Sequence, residues 1–230
     1  MLKKQYIDVD RIEAIAKQWR VAVKNERNSL VPEDPVDLLD PKILAEVVRV
    51  QLEYHAELPS DVPGFEVAGL LDRELKLICL SEKFKPEEVR FTTLHEIGHW
   101  LMHQDLIKHR DRPISHHGNG RVSLPVEERE ANRFAAAYSM PPHGVERRLE
   151  TTFGLKTPIR ITNDLAFLLQ RGKPDTALRR GTDGLLKWEL AIAGCESIGG
   201  PRFVSMKDQF RVSATAMAIR LRELGLVRPD

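Results

Sequence analysis

The residues richest in chemistry lie in one stretch, LHEIGHWLMH, from Leu94 to His103. Side chains four apart on a helix share a face, about 40° and 6 Å from one another. His95 and His99 can therefore aim imidazole nitrogens at one ion, and zinc, borderline-soft and tetrahedral, suits such donors. Glu96 is turned about 100° from His95, which sets its carboxylate beside the ion rather than on it. Zinc lowers the pKa of the water it binds to about 7, and a carboxylate so placed takes the proton as that water attacks a carbonyl. This is the H-E-x-x-H arrangement of metalloproteases. His103 continues the series but lies about 12 Å along the axis from His95. It is too far to share the ion and reads as a surface or ligand-supporting residue.

A plain buried helix with a polar edge is the competing reading. Context favours the metal. The helix is entered from a strand, Leu94, Ile97, Trp100 and Leu101 supply a buried face, and Gly98 leaves space beside the ion. The missing element is a third ligand. A third histidine six residues beyond His99 fails, because that position is Asp105. The stretch PVEEREANRFAAAYSMPP offers Glu127, Glu128 and Glu130 at the start of another helix. Charges near a helix start are commonly just solvated there. Glu130, however, lies within the pattern and is followed by small alanines that permit close helix approach. Asn132 is placed to orient a ligand histidine by accepting its free N–H.

Other elements must position these residues. Ile12, Ile15, Ala16, Trp19 and Val23 predict a helix over 8–25, with Asp10 and Glu13 as its capping pair. Asp40-Pro41 opens a second helix, aspartate as cap and proline at the first helical position. GFEVAGLLDRELKLICLSE reads as a β-hairpin turning at Asp72-Arg73-Glu74. Its second strand, Leu75 to Leu80, leads into the motif helix at about 87–104 and is the sheet edge on which an extended substrate would lie. Residues 104–125 read as a long polar loop. A helix over 126–138 stops at Pro141-Pro142.

The chain has 230 residues, 42% hydrophobic and 30% charged, with a net charge of +1. That composition supports a packed core and gives no global pull toward nucleic acid or membrane. No apolar run is long enough to span a bilayer, and the charged start lacks a secretory h-region. Cys79 and Cys195 read as buried thiols rather than a disulfide, which fits a reducing, cytoplasmic setting.

RFTTLHEIGHWLMH followed by EEREANRFAAAYSMP resembles the ImmA/IrrE family of bacterial zinc metallopeptidases over roughly residues 60–142. The resemblance implies His95 and His99 as zinc ligands, Glu96 as catalytic base and Glu130 as third ligand, with Glu127 as the fallback. It also implies an α+β fold: a zincin-like core with a small antiparallel sheet on helices, and a protein substrate that is a helix-turn-helix repressor. Tyr138-Ser139-Met140-Pro141 departs from the family's usual LLMP ending without touching a proposed ligand.

The tail, SMKDQFRVSATAMAIRLRELGLV, reads as helix, turn and helix, with Ser213 as N-cap and a stop before Gly225. It resembles the helix-turn-helix-like segment that follows the peptidase motifs in this family. Three regions result: a peptidase domain over 1–142, a mixed connecting region over 143–200 and the helix-turn-helix-like segment over 201–230. Two functions stand. One is a zinc endopeptidase that cleaves a repressor and so derepresses genes. The other is a DNA-binding regulator with a structural or vestigial metal site. DNA reading would need basic side chains on the second tail helix, where only Arg220 and Arg222 are available, with Arg211 just before it.

Overall fold

The computed structural model describes residues 6–27, 32–60, 66–105, 108–111, 124–171, 186–200 and 202–229. They form two units, Met1–Ser139 and Met140–Asp230. The predicted regions 143–200 and 201–230 thus share one unit.

The first unit is α+β. Helix α1 spans Val9–Glu26 and is capped by Asp8, whose carboxylate accepts from Arg11 N at 3.0 Å. The predicted Asp10–Glu13 pair is not the cap, because both lie inside the helix. A 3-10 turn, Pro35–Leu39, leads to α2, Pro41–Val47, where Asp40 accepts from Lys42 N at 2.9 Å as its sequence predicts. Strands β1 (Gln51–His55), β2 (Gly69–Asp72) and β3 (Leu77–Ser81) precede α3, Pro86–Met102. Strand β4 covers Lys108–Asp111, and α4 covers Val126–Ser139.

The sheet order is β1-β3-β2-β4. The predicted hairpin is present, β2 and β3 pairing antiparallel with Leu71 opposite Ile78. The sheet is mostly antiparallel, with one parallel pair, β1 on β3 with Gln51 opposite Leu77. Strand β3 is therefore internal, and the predicted substrate edge is closed by β1. The other edge is β4, inside the stretch read as loop, which pairs antiparallel to β2 with Asp111 opposite Gly69. The rest of the predicted loop, 106–107 and 112–123, lies outside the described residues.

Alternation explains the packing. Ile78 and Leu80 are fully buried, while Leu77 and Cys79, which alternate with them, are only partly so. Helix α3 packs on β2 and β3 and also against α4, whose Ala131, Phe134, Ala135 and Tyr138 are fully buried. Helix α1 packs on α4 as well. Arg20 donates to Ala137 O at 2.6 Å and Arg133 pairs with Glu13 at 2.6 Å, which fixes that register. The helix that supplies ligands is thus held between a sheet and a second helix, the layered burial that an α+β core requires.

The second unit contains α5 (Pro142–Phe153), β5 (Ile159–Ile161), α6 (Asn163–Arg171), α7 (Lys187–Ala193), α8 (Met206–Phe210), α9 (Ala214–Glu223) and β6 (Val227–Pro229). Strand β6 pairs parallel to β5, and α9 packs on α7. The helix-turn-helix-like segment is α8–α9. Ser213 caps α9 by accepting from Ala216 N at 3.1 Å, and Gly225 adopts φ +65° just past its end, as glycine does without strain. Phe210, Met217 and Leu221 are buried, so the tail is part of this unit's core. Both cysteines are free, Cys195 buried and Cys79 half-buried. Among the described residues no helix is long and apolar enough to cross a membrane.

Candidate metal centre

The centre of α3 is buried on every side. Thr92 to His99 are all buried, with His95 at 1%, Glu96 at 0% and His99 at 0% exposure. Helix α4 covers the histidine side, and it is α4 that brings the third donor.

His95 Nε2 and His99 Nε2 lie 3.0 Å apart. The Glu128 carboxylate reaches both, 3.4 Å from His95 Nε2 and 3.5 Å from His99 Nε2. These three residues form a group able to hold a metal ion. Two donors each about 2.0–2.1 Å from a tetrahedral zinc lie about 3.3–3.4 Å apart, which the two nitrogen–carboxylate spacings match closely. Glu130, the expected third ligand, is not at this point. Its carboxylate lies 3.0 Å from His103 Nε2. The fallback Glu127 is also outside the group.

Tautomers sharpen the fit. His95 Nδ1 is 3.0 Å from Asn132 Oδ1, an oxygen that can only accept, so Nδ1 carries the proton and Nε2 a lone pair. This is where the sequence places Asn132. His99 Nδ1 lies 3.0 Å from His103 Nδ1. With both Nδ1 atoms donating, two lone pairs and a carboxylate converge, an arrangement that a cation stabilises and its absence does not.

Glu96 is placed by the start of β2. A Cβ at Gly69 would come within 2.7 Å of Thr92 Cγ2 and 2.9 Å of Glu96 Oε1, so only glycine leaves the carboxylate its position. Gly98 does not open space beside the ion as predicted. A Cβ there would meet Ala131 Cα at 3.2 Å and Phe134 Cδ1 at 3.2 Å. Its role is to let α3 and α4 approach, which is what carries Glu128 to the histidines.

Arg73 was assigned only a turn in sequence. From the β2–β3 turn, its Nη2 donates to His99 O at 2.6 Å, Trp100 O at 3.0 Å and His103 O at 2.9 Å. His99 O also accepts from His103 N at 3.0 Å, while Trp100 O and His103 O lie at the helix end, so Arg73 closes the turn that carries His99. Its guanidinium also stacks over Trp100, 4.9 Å from the ring centre, and burial lowers its pKa. A basic residue in a hairpin turn was the available signal, but nothing in sequence aims it at α3.

Residues 58–163 match the family model described as the IrrE N-terminal-like domain, a peptidase family. No curated protein matches the chain. The match extends past the two quoted motifs through α5 and β5. Residues 58–163 are therefore similar to an ImmA/IrrE-type peptidase domain, which supports a metallopeptidase-type function and a protein substrate.

Proposed function

We propose that the chain is a zinc-dependent endopeptidase of narrow specificity, with His95, His99 and Glu128 as ligands and Glu96 as catalytic base. The observation that carries it is the convergence of two Nε2 lone pairs and one carboxylate, 3.0–3.5 Å apart, one residue from a buried glutamate. Two histidines and a glutamate are a catalytic zinc set that leaves a fourth position open. When bound, the ion polarises the scissile carbonyl and acidifies water. Glu96 takes the proton of the attacking water and returns it to the leaving amine. Asn132 holds the His95 ring in its ligating tautomer.

The substrate pairs along the edge of β4 that no strand covers among the described residues, which adds a strand to the sheet and satisfies the backbone of the bound segment. Two features support this edge. Strand β4 is terminal in the sheet, and its Asp111 faces Gly69, the residue that abuts Glu96. Main-chain pairing is indifferent to sequence, so specificity comes from other surfaces, and the substrate is a helix-turn-helix repressor whose cleavage derepresses genes in the cytoplasm.

The DNA-binding alternative loses support on α9. Arg220 is fully buried and donates to Met140 O at 2.9 Å, while Arg222 donates to Glu189 at 2.8 and 2.9 Å. Arg220 is thus closed to a phosphate or base edge, and Arg222 is tied into an ion pair.

The test uses the zinc-loaded protein and a folded helix-turn-helix repressor, drawn from the neighbouring genes where one is encoded there. A single interdomain cut, lost in Glu96→Gln with zinc retained, supports the proposal. Brisk digestion of casein overturns the narrow specificity. Uncleaved repressor overturns the substrate. Because α8 and α9 belong to a folded core, removing 203–230 would unfold the second unit. Ile219→Glu, at a position 41% exposed, is the sounder probe of the tail in recognition.

A further inference from the structure

Glu130 and His103 remain to be explained. They are the acidic residue two positions beyond the proposed ligand and the histidine that caps the motif helix. Both are mostly buried, with side chains 19% and 9% exposed. Their contacts form one line. Glu130 Oε2 is 3.0 Å from His103 Nε2, and His103 Nδ1 is 3.0 Å from His99 Nδ1. A carboxylate only accepts, so His103 Nε2 carries the proton and its Nδ1 is left with a lone pair. That lone pair takes the N–H of His99 Nδ1. The remaining nitrogen, His99 Nε2, is then without a proton and faces His95 Nε2 and Glu128.

We propose that His103 and Glu130 form a two-residue relay that fixes His99 as an Nε2 ligand. They are positioning residues acting through His99. The inference rests on the metal-centre reading and deepens it. The relay is the counterpart of Asn132 at His95: each histidine has its non-ligating nitrogen tied to an acceptor supplied wholly or partly by α4. The two arms differ in kind. Asn132 is neutral, whereas Glu130 passes negative charge through His103 to the ring of His99, which makes that imidazole the more basic donor. The same contacts explain the i, i+4, i+8 spacing of His95, His99 and His103. Each imidazole lies over the next along one helix face, with ring centres 4.6 and 4.9 Å apart. The series extends the site outward without adding a ligand.

The experiment measures zinc affinity by chelator competition and the visible spectrum of the cobalt-substituted protein. The variants are His103→Ala, His103→Gln, Glu130→Ala and Glu130→Gln, with apo-protein melting as the control on folding. Loss of such a supporting contact costs about 10–100-fold in metal affinity. His103→Ala and Glu130→Ala should each lose that much while the apo melting temperature stays in place, and their cobalt bands should shift. His103→Gln, which can accept from His99 and donate to Glu130, should recover most of the loss. Glu130→Gln keeps an acceptor without the charge and should fall between. Wild-type affinity in both alanine variants overturns the relay and leaves the metal centre standing. So does an equal loss in His103→Ala and His103→Gln, since a tautomer-setting contact must be rescued by a group that reproduces it. Wild-type protein that binds no zinc overturns the metal centre and this inference together. If His103→Ala fails to fold, the two Glu130 variants decide, being changes at a partly exposed site.

Discussion

Gly98→Ala places a methyl group at the α3–α4 crossing. Its carbon would stand 3.2 Å from Ala131 Cα and 3.2 Å from Phe134 Cδ1. Carbon atoms rest at about 3.5–4.0 Å, so the helices must part by a few tenths of an ångström. Such overpacking costs about 1–3 kcal/mol, while replacing glycine by alanine within a helix returns about 0.5–1 kcal/mol. The net expectation is a loss of about 1–2 kcal/mol. The same movement reaches the site, because His95 and His99 lie on α3 and Glu128 on α4, within a turn of the contact. Metal–ligand distances tolerate only about 0.2 Å. If the strain falls on the zinc-bound state, affinity drops about tenfold, the equivalent of 1.4 kcal/mol. Thermal unfolding of apo and zinc-loaded protein, with competition titration, measures both. A variant that melts higher by the propensity gain and binds zinc normally would refute the close approach on which the site depends.

Three further changes test other supports of the site. Gly69→Ala should cut peptidase activity by tenfold or more while zinc content is kept, since its Cβ would displace the Glu96 carboxylate and touches no ligand; normal activity would remove β2 from the placement of the base. Arg73→Ala should cost about 1–3 kcal/mol in unfolding free energy by removing the side-chain donor shared by the carbonyls of Trp100 and His103 and by His99 O, which keeps its bond from His103 N, and hydrogen exchange should rise in the last turn of α3; unchanged exchange there would contradict the cap. The phenol of Tyr138 is buried without a hydrogen-bond partner among the described residues, and burial raises its pKa above the ordinary 10.0. The folded state then keeps this proton where the unfolded chain releases it, so stability is whole below pH 10 and falls as pH rises from there. Tyr138→Phe should raise stability by about 1 kcal/mol at neutral pH and flatten the alkaline decline, and a less stable variant would show that the hydroxyl is satisfied.

The legible parts of this chain were those fixed by local chemistry. Asp40-Pro41, Ser213 and Gly225 announce helix ends because capping needs only neighbouring backbone. His95, Glu96 and His99 announce a metal site because helical geometry alone brings them together. Asn132 was legible for the same reason that Glu128 should have been. They stand one turn apart on α4, so a helix that aims Asn132 at His95 aims Glu128 there too. Glu130 stands half a turn further along α4, where its carboxylate meets His103 instead of the grouped histidines. Strands β1 and β4 were not legible. Gln51–His55 is mostly exposed, and Lys108–Asp111 is charged, so neither carries an apolar alternation. Their pairing is decided by vacant edges of β3 and β2, which no local pattern records. Gly98 was read as room for an ion, when the space belongs to α4.

The central claim is that α3 and α4 together hold one zinc through His95, His99 and Glu128. Anomalous diffraction from a zinc-loaded crystal, recorded on both sides of the zinc edge, tests it most directly. The account predicts one strong peak per chain, about 2.0–2.2 Å from His95 Nε2, His99 Nε2 and a Glu128 carboxylate oxygen. A peak on Glu130 and His103 instead, or no peak at these three residues with zinc in excess, would contradict it.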